Sequence, residues 1–204
     1  MTKKRIAHEQ LKQIVEAAIF VHESPITLDK LQATVLAEFG VSHRKVKQVL
    51  EELRLDYAPR GIHLVLVASG YRFQSDDSLS PWLSRLWQEQ IPRYSRAAME
   101  TLSLIAYRQP ITRGEIEEVR GVSVSSQIMK NLLERDWIKV VGHKEVPGRP
   151  ALYATTKVFL DYFSLSALSD LPSMEWFEHQ TKQDPSRQLV QLDTDDTTLQ
   201  NEQE

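Results

Sequence analysis

RAAMETLSLIAYRQPITRGEIEEVRGV, residues 96–122, decides how this chain is read. Ser95 stands where a helix N-cap belongs, and Ala98, Leu102, Ile105 and Ala106 follow it at helical spacing. Pro110 stops that helix, since it has no N–H to donate and disfavours a helical residue before it. Thr112 caps a second helix, and Glu115, three residues on, completes a capping box. Ile111 before the cap and Ile116 after it have the spacing of a hydrophobic staple. Gly121 marks the turn into a third helix, with Val124, Ile128 and Leu132 along one side and Met129 and Leu133 broadening it. Residues 137–141 read as a strand, Pro147-Gly148 as a turn and 151–155 as the return strand. Thr156 caps a short last helix running to Phe163.

The same outline occurs about eighty residues earlier. An amphipathic helix over 9–22 carries Leu11, Ile14, Val15, Ala18 and Ile19 on one face, and Ser24-Pro25 ends it. Thr27 caps a helix over 28–39, with Ile26 and Leu31 at staple spacing and Gly40 just past its end. Pro-Ile-Thr followed by an apolar residue at one fixed distance therefore occurs twice. Ser42 caps a third helix with Val46, Val49, Leu50 and Leu53 in line. Residues 62–68 are rich in β-formers, and Ser69-Gly70 turns them into 71–74. Three helices and a β-hairpin, twice, is the order of tandem winged helices.

The expected architecture is mainly α with small β-wings (α+β): two tandem winged-helix domains, 1–75 and 95–172, joined by a short helical linker over 76–94. Ser80 as N-cap and Pro81 as first helical residue would open that linker helix, and Trp82, Leu83, Leu86 and Trp87 would form its apolar face. The face packs on a neighbouring domain, or its tryptophans join a subunit contact. From 173 to 204 the chain is polar and acidic and reads as a disordered tail, with Trp176-Phe177 and Leu189–Leu192 as isolated apolar spots.

The composition narrows the function. The chain has no cysteine, which excludes disulfides and thiolate zinc sites. No signal-peptide core and no run of membrane-spanning length follows the basic N-terminus, so a cytoplasmic location without a membrane contact is expected. The formal net charge is −3. Residues 178–204 set seven acidic side chains against Lys182 and Arg187, leaving the rest at +2. Such a body lacks the basic field of a protein that lives by binding phosphate. Arg44, Lys45 and Lys47 open the third helix of the first copy, but Glu51 and Glu52 follow. The second copy offers Ser123, Gln127, Lys130, Asn131 and Glu134. Gln and Asn can read adenine edges, yet one lysine among neutral residues is thin phosphate contact. The six histidines include no H-x-x-x-H or H-E-x-x-H spacing, so no metal is expected. No phosphate-cradling glycine loop and no G-x-S-x-G elbow is present, and Glu115, Glu117 and Glu118 sit where a helix dipole favours acids. No catalytic residue and no cofactor is expected.

METLSLIAYRQPITRGEIEEVRGV (99–122) resembles the signature of the segregation and condensation protein B (ScpB) family, the tandem winged-helix subunit that accompanies the bacterial SMC chromosome-condensing complex. VPGRPALYATTKVFLDYFSLSALSDLP (146–172) is similar to a second family segment, and VEAAIFVHESPITLDKL near the start to a third. The similarity spans roughly 10–172. Two departures stand out: Phe163-Ser164-Leu165, where the family usually has glycine in the middle, and Gly142-His143, where arginine commonly follows the glycine.

The resemblance implies a non-enzymatic adaptor that forms a homodimer through its N-terminal winged helices and binds the kleisin ScpA, which bridges the SMC heads. It implies a role in chromosome condensation and segregation at the nucleoid, with DNA contact weak or indirect. For the kleisin surface the reading selects Gln127, Lys130, Asn131 and Arg149; for the dimer, the first helix and its neighbours. Tyr107, Arg108, Gln109, Arg113 and Arg120 also fall in the matched motifs. Pro110, Thr112, Glu115, Gly121, Gly148 and Pro150 are read as structural, and Arg120 and Arg149 as orienting loops or pairing with acids. The competing reading is a dimeric winged-helix DNA-binding transcription regulator, since fold alone does not settle function.

Overall fold

The first helix, α1 (His8–Val21), turns Leu11, Val15 and Ile19 into the core at four-residue spacing. The computed structural model describes residues 4–86 and 94–173. The Thr27 hydroxyl accepts from the Lys30 N–H to open α2 (Leu28–Ala33), with Ile26 and Leu31 both buried as the staple spacing requires. α2 stops well short of the expected residue 39. The Thr34 hydroxyl donates to the Lys30 carbonyl (2.6 Å), its backbone leaves the helical region, and turns carry the chain to Phe39, which bridges Lys4. Gly40 is therefore not a helix cap; its N–H donates to the Lys4 carbonyl at 3.3 Å. Ser42 caps α3 (His43–Tyr57), which buries Val46, Val49, Leu50 and Leu53. Each such aliphatic side chain, fully withdrawn from water, contributes on the order of 2 kcal/mol. The first wing is β1 (Ile62–Val67) and β2 (Gly70–Ser75), antiparallel, with Val67 opposite Gly70. Its turn is Ala68-Ser69, one residue earlier than the sequence suggests.

The connecting segment is not one helix. A 3-10 turn (Asp77–Leu79), a single α turn, α4 (Ser80–Leu83), and a second 3-10 turn (Ser84–Leu86) follow one another. Leu79, and not Ser80 as expected, is the N-cap of α4, so that Ser80 is its first residue and Pro81 its second, and the Ser84 N–H is shared between the Ser80 and Trp82 carbonyls, which ends the α geometry. Trp82 and Leu86 are exposed, and Trp87 lies outside the described residues.

The second half repeats the first. Ser95 caps α5 (Arg96–Arg108), β3 (Ile111–Thr112) follows, and Thr112 and Glu115 form the full capping box of α6 (Arg113–Arg120). Gly121 closes α6 at φ 72°, the left-handed region that glycine adopts cheaply. α7 (Ser126–Glu134) buries Met129 and Leu132, while Leu133 lies at the margin of that face and is 39% exposed, contrary to expectation. The second wing is β4 (Ile138–His143) and β5 (Ala151–Thr155), and Thr156 caps α8 (Lys157–Tyr162). The sheet order is β3-β5-β4, and the two-residue β3 was not legible in the sequence. It explains the repeated Pro-Ile-Thr. Ile111 pairs antiparallel with Tyr153 of the second wing's return strand, and Ile26 bridges Tyr71 of the first wing's return strand.

Met1–Leu168 forms one compact unit holding both repeats, and Ser169–Glu204 a second. Of the second, 169–173 is described and includes the end of a 3-10 turn, Leu168–Asp170. From Met174 onward the expected tail lies outside the described residues. The fold class is mixed: helical with small sheets.

Two glycines test the packing. A Cβ at Gly70 (φ 136°) would lie 2.4 Å from the Ile26 carbonyl group, whereas one at Gly114, inside α6, meets nothing within 4 Å. Gly70→Ala is expected to destabilise by more than about 1 kcal/mol and Gly114→Ala to stabilise by roughly 0.5–1 kcal/mol. Urea denaturation of both variants checks this; equal effects would contradict the tight Ile26 contact.

Candidate partner-binding surface

Ser125 caps α7 through the Gln127 N–H (3.1 Å) and sends Gln127, Lys130 and Asn131 to solvent. Gln127 Nε2 donates to Asn131 Oδ1 at 2.6 Å, and Lys130 pairs loosely with Glu134 at 3.6 Å. Three of the four selected contact residues thus share one exposed helix face, where an i,i+4 pair holds them at little cost. Arg149 lies elsewhere, on the turn of the second wing. Gly148 (φ 83°) and Arg149 (φ 39°) both take left-handed backbone there. The Lys144 N–H donates to the Pro150 carbonyl and the Arg149 N–H to the Val146 carbonyl, both at 2.9 Å. Gly148 and Pro150 thus serve the turn, and the exposed Arg149 makes no ion pair among the described residues. It stands on a different element from the α7 trio.

Three of the other motif residues, Gln109, Arg113 and Arg120, hold elements together, while Arg108 is exposed. Gln109 Oε1 accepts from the Thr155 N–H (2.8 Å) and hydroxyl (3.0 Å), tying the end of α5 to β5 across the Pro110 corner. Arg120 is 9% exposed and donates to Glu100 at 3.1 Å, joining α6 to α5. Arg113 reaches Glu117 (2.9 Å) and Ser126 (3.2 Å), while Glu117 accepts from the Val124 N–H (2.8 Å). This closes the turn between α6 and α7 and holds the Glu117 carboxyl below its ordinary range, chiefly through the Val124 N–H. The sequence showed Glu117 only as one acid in a cluster.

An aromatic cluster, also not anticipated, surrounds the buried Trp137. Tyr94, Tyr162 and Phe163 lie 5.0, 4.6 and 5.5 Å from it, centroid to centroid. Arg135 stands over the Tyr94 ring at 4.9 Å and donates to its hydroxyl at 3.1 Å. The cluster pins Tyr94, just ahead of α5, to α8 and the residue after it.

On the first half, Arg44 and Lys47 are exposed, while Glu51 and Glu52 on the same helix are engaged by Arg54 and His8. At the end of α1, Phe20 is 72% and Val21 74% exposed. Histidines meet single acids across elements, as His8 meets Glu52 and His63 meets Asp76. Among the described residues no group of three or more His, Asp or Glu is placed to hold a metal, and no helix is long and apolar enough to cross a membrane.

Glu115 is the most perturbed acid. Lys144 Nζ donates to it at 2.6 Å, and the Thr112 N–H and hydroxyl each at 2.8 Å, which brings its pKa down from 4.5 to about 2. A depressed carboxylate contributes stability that is fully present above pH 4.5 and lost as the pH falls from there toward 2. Glu115→Gln is expected to lose stability less steeply than the parent across that window, in urea melts at stepped pH. Thr112→Ala is expected to cost about 1 kcal/mol near neutrality. Parallel pH profiles for Glu115→Gln and the parent would dismiss the carboxylate's role.

Residues 13–174 match the family described as "Segregation and condensation complex subunit ScpB". The chain is 56% identical over 164 residues to a segregation and condensation protein B homolog of Coxiella burnetii, covering 80% of this chain and 78% of the relative. It is 40% identical over 179 residues to segregation and condensation protein B of Syntrophotalea carbinolica, covering 87% and 88%. Among solved structures, ScpB from Mycobacterium tuberculosis is similar at 32% identity and a TM-score of 0.38, over 79% of this chain and 99% of that one. A dimer of an ScpB N-terminal domain complexed with a ScpA peptide is similar at 32% identity and a TM-score of 0.34, over 39% of this chain and 96% of that one. The chain belongs to the segregation and condensation protein B family, whose members are subunits of a chromosome segregation and condensation complex.

Proposed function

We propose that this chain is a non-enzymatic adaptor of the bacterial SMC–kleisin complex, which dimerises, binds the kleisin ScpA and reaches SMC through it. The family match over residues 13–174 carries this reading. It acts in chromosome condensation and segregation, in the cytoplasm at the nucleoid, with DNA contact weak or indirect. Its domains are a winged helix over 1–75, a connecting segment over 76–94, a second winged helix over 95–172 and an acidic tail over 173–204. The electrostatics support a protein partner. Among the described residues half of the ten lysines and arginines of the second half pair with acids, as in Arg113–Glu117, Arg120–Glu100 and Lys144–Glu115, and the others stand on several different elements.

The exposed face of α7 and the Arg149 turn form the kleisin surface in this reading. Phe20 and Val21, large apolar side chains left in water at the end of α1, support a dimer contact there.

Size-exclusion chromatography with light scattering, on the protein alone and with the kleisin from the same organism, tests the function. A dimer that shifts to a stable larger complex is expected. A dimer that ignores the kleisin yet binds a DNA site with steep salt dependence would replace the adaptor with a regulator. Lys130→Ala with Arg149→Ala is expected to weaken kleisin binding about tenfold, corresponding to about 1.4 kcal/mol, without altering the thermal midpoint. Unchanged affinity would remove that surface. Phe20→Ser with Val21→Ser is expected to shift the dimer toward monomer; an intact dimer would move the contact away from α1.

A further inference from the structure

The tip of the first wing is bound to the chain itself. The Ala68 N–H donates to the Leu165 carbonyl at 2.9 Å, and the Ser69 N–H to Asp161 Oδ1 at 2.9 Å. Beside them, Arg72 Nη2 donates to Ser164 Oγ at 3.2 Å, and the Ser164 hydroxyl donates to Gln74 Oε1 at 3.1 Å. The turn of the first wing and its return strand, β2, thus meet one short stretch, Asp161–Leu165, at the end of α8.

That stretch has a costly backbone. Ser164 takes φ 57°, in the left-handed region where glycine is far cheaper than serine. Its conformation closes α8: the Ser164 N–H donates to the Asp161 carbonyl (3.2 Å) and the Leu165 N–H to the Leu160 carbonyl (2.8 Å). Glycine would make the same closure with less strain. What it would lack is the hydroxyl that touches Arg72 and Gln74.

We propose that the Asp161–Leu165 turn is a catch for the first wing, and that Ser164 serves this contact rather than the closure of α8. The wing tip is then an internal protein-docking surface whose partner is the chain's own last helix, and the catch sets the relative orientation of the two winged helices. Backbone N–H groups of this kind are common phosphate ligands in protein–nucleic acid complexes. Here the two amides at the tip are engaged, one of them by a carboxylate that would repel a phosphate. The first wing, so held, does not read nucleic acid. The polar, partly exposed character of the contact makes it releasable, unlike a large apolar interface. This inference stands whether or not the kleisin surface is on α7.

The chain has no cysteine, so two can be introduced cleanly. Spin labels at Lys47→Cys on α3 and Lys139→Cys on β4, both exposed positions, report the distance between the halves. Dilution with unlabelled protein restricts the signal to single chains. The parent is expected to give one narrow distribution, and Ser164→Gly and Asp161→Ala each to broaden it. Ser164→Gly, which relieves the left-handed strain, is expected to keep or raise the thermal midpoint while doing so. Broadening with an intact helical circular-dichroism signal supports the catch. A broad parent distribution, an unchanged one in Ser164→Gly, or broadening only together with loss of helical signal overturns it.

Discussion

The antiparallel pairing of Ile26 with Tyr71, repeated by Ile111 with Tyr153, ties each half together. In each case the isoleucine side chain is buried, its backbone meets the return strand of the wing, and the next residue, threonine, caps a helix. One tripeptide therefore sets the end of the first helix, the start of the second and the place of the wing. A polar residue in the isoleucine position would lose the staple and leave an unfilled space beneath the hairpin. The corner around the first pairing has no room to adjust, since Gly70 runs directly against the Ile26 carbonyl group.

With helices and wing so fixed, charge decides what the surface is good for. Three arginines of the second half are engaged by its own residues: Arg113 closes a turn, Arg120 joins two helices and Arg135 lies over aromatic rings. A nucleic-acid-binding face needs unpaired cations arranged along a groove. Among the described residues the exposed cations outside ion pairs, Arg44, Lys47, Arg108, Lys139, Arg149 and Lys157 among them, stand on several elements, beside a near-neutral helix face on α7 and apolar side chains at the end of α1. Such surfaces suit protein partners, in keeping with a family of complex subunits. The first wing, engaged by the turn after α8, follows the same pattern of contacts between protein elements.

Capping residues were the most legible part of the sequence. Thr27, Ser42, Ser95, Thr112 and Thr156 all accept the expected N–H bond, because a cap acts on a backbone group within three residues. Where a helix stops was less legible. α2 ends at Ala33 because the Thr34 hydroxyl competes for a carbonyl and Phe39 is drawn to Lys4, and neither event shows in the spacing of apolar residues. The two-residue β3 is too short to carry a period. The positions of Thr112 and Glu115 in a capping box, and of Gly121 and Gly148 at left-handed turns, followed from local rules. Gln109, Glu117 and Arg135 did not, since their partners lie on other elements or in a ring cluster.

By itself the sequence determined the duplicated helix-turn-helix, its caps and staples, the absence of thiol chemistry and the near-neutral body. All of these depend on residue type and on separations of a few positions, over which chain geometry is nearly invariant. Only the tertiary structure decided that Arg149 makes no ion pair among the described residues, that Tyr94 joins the Trp137 cluster, and that the first wing meets the end of α8. The bond from Ser69 to Asp161 crosses 92 positions, and no periodicity reaches that far. Such a contact exists because two surfaces distant in sequence come to rest against each other. Its reason lies in their shapes and unsatisfied backbone groups, which exist only once the chain has folded.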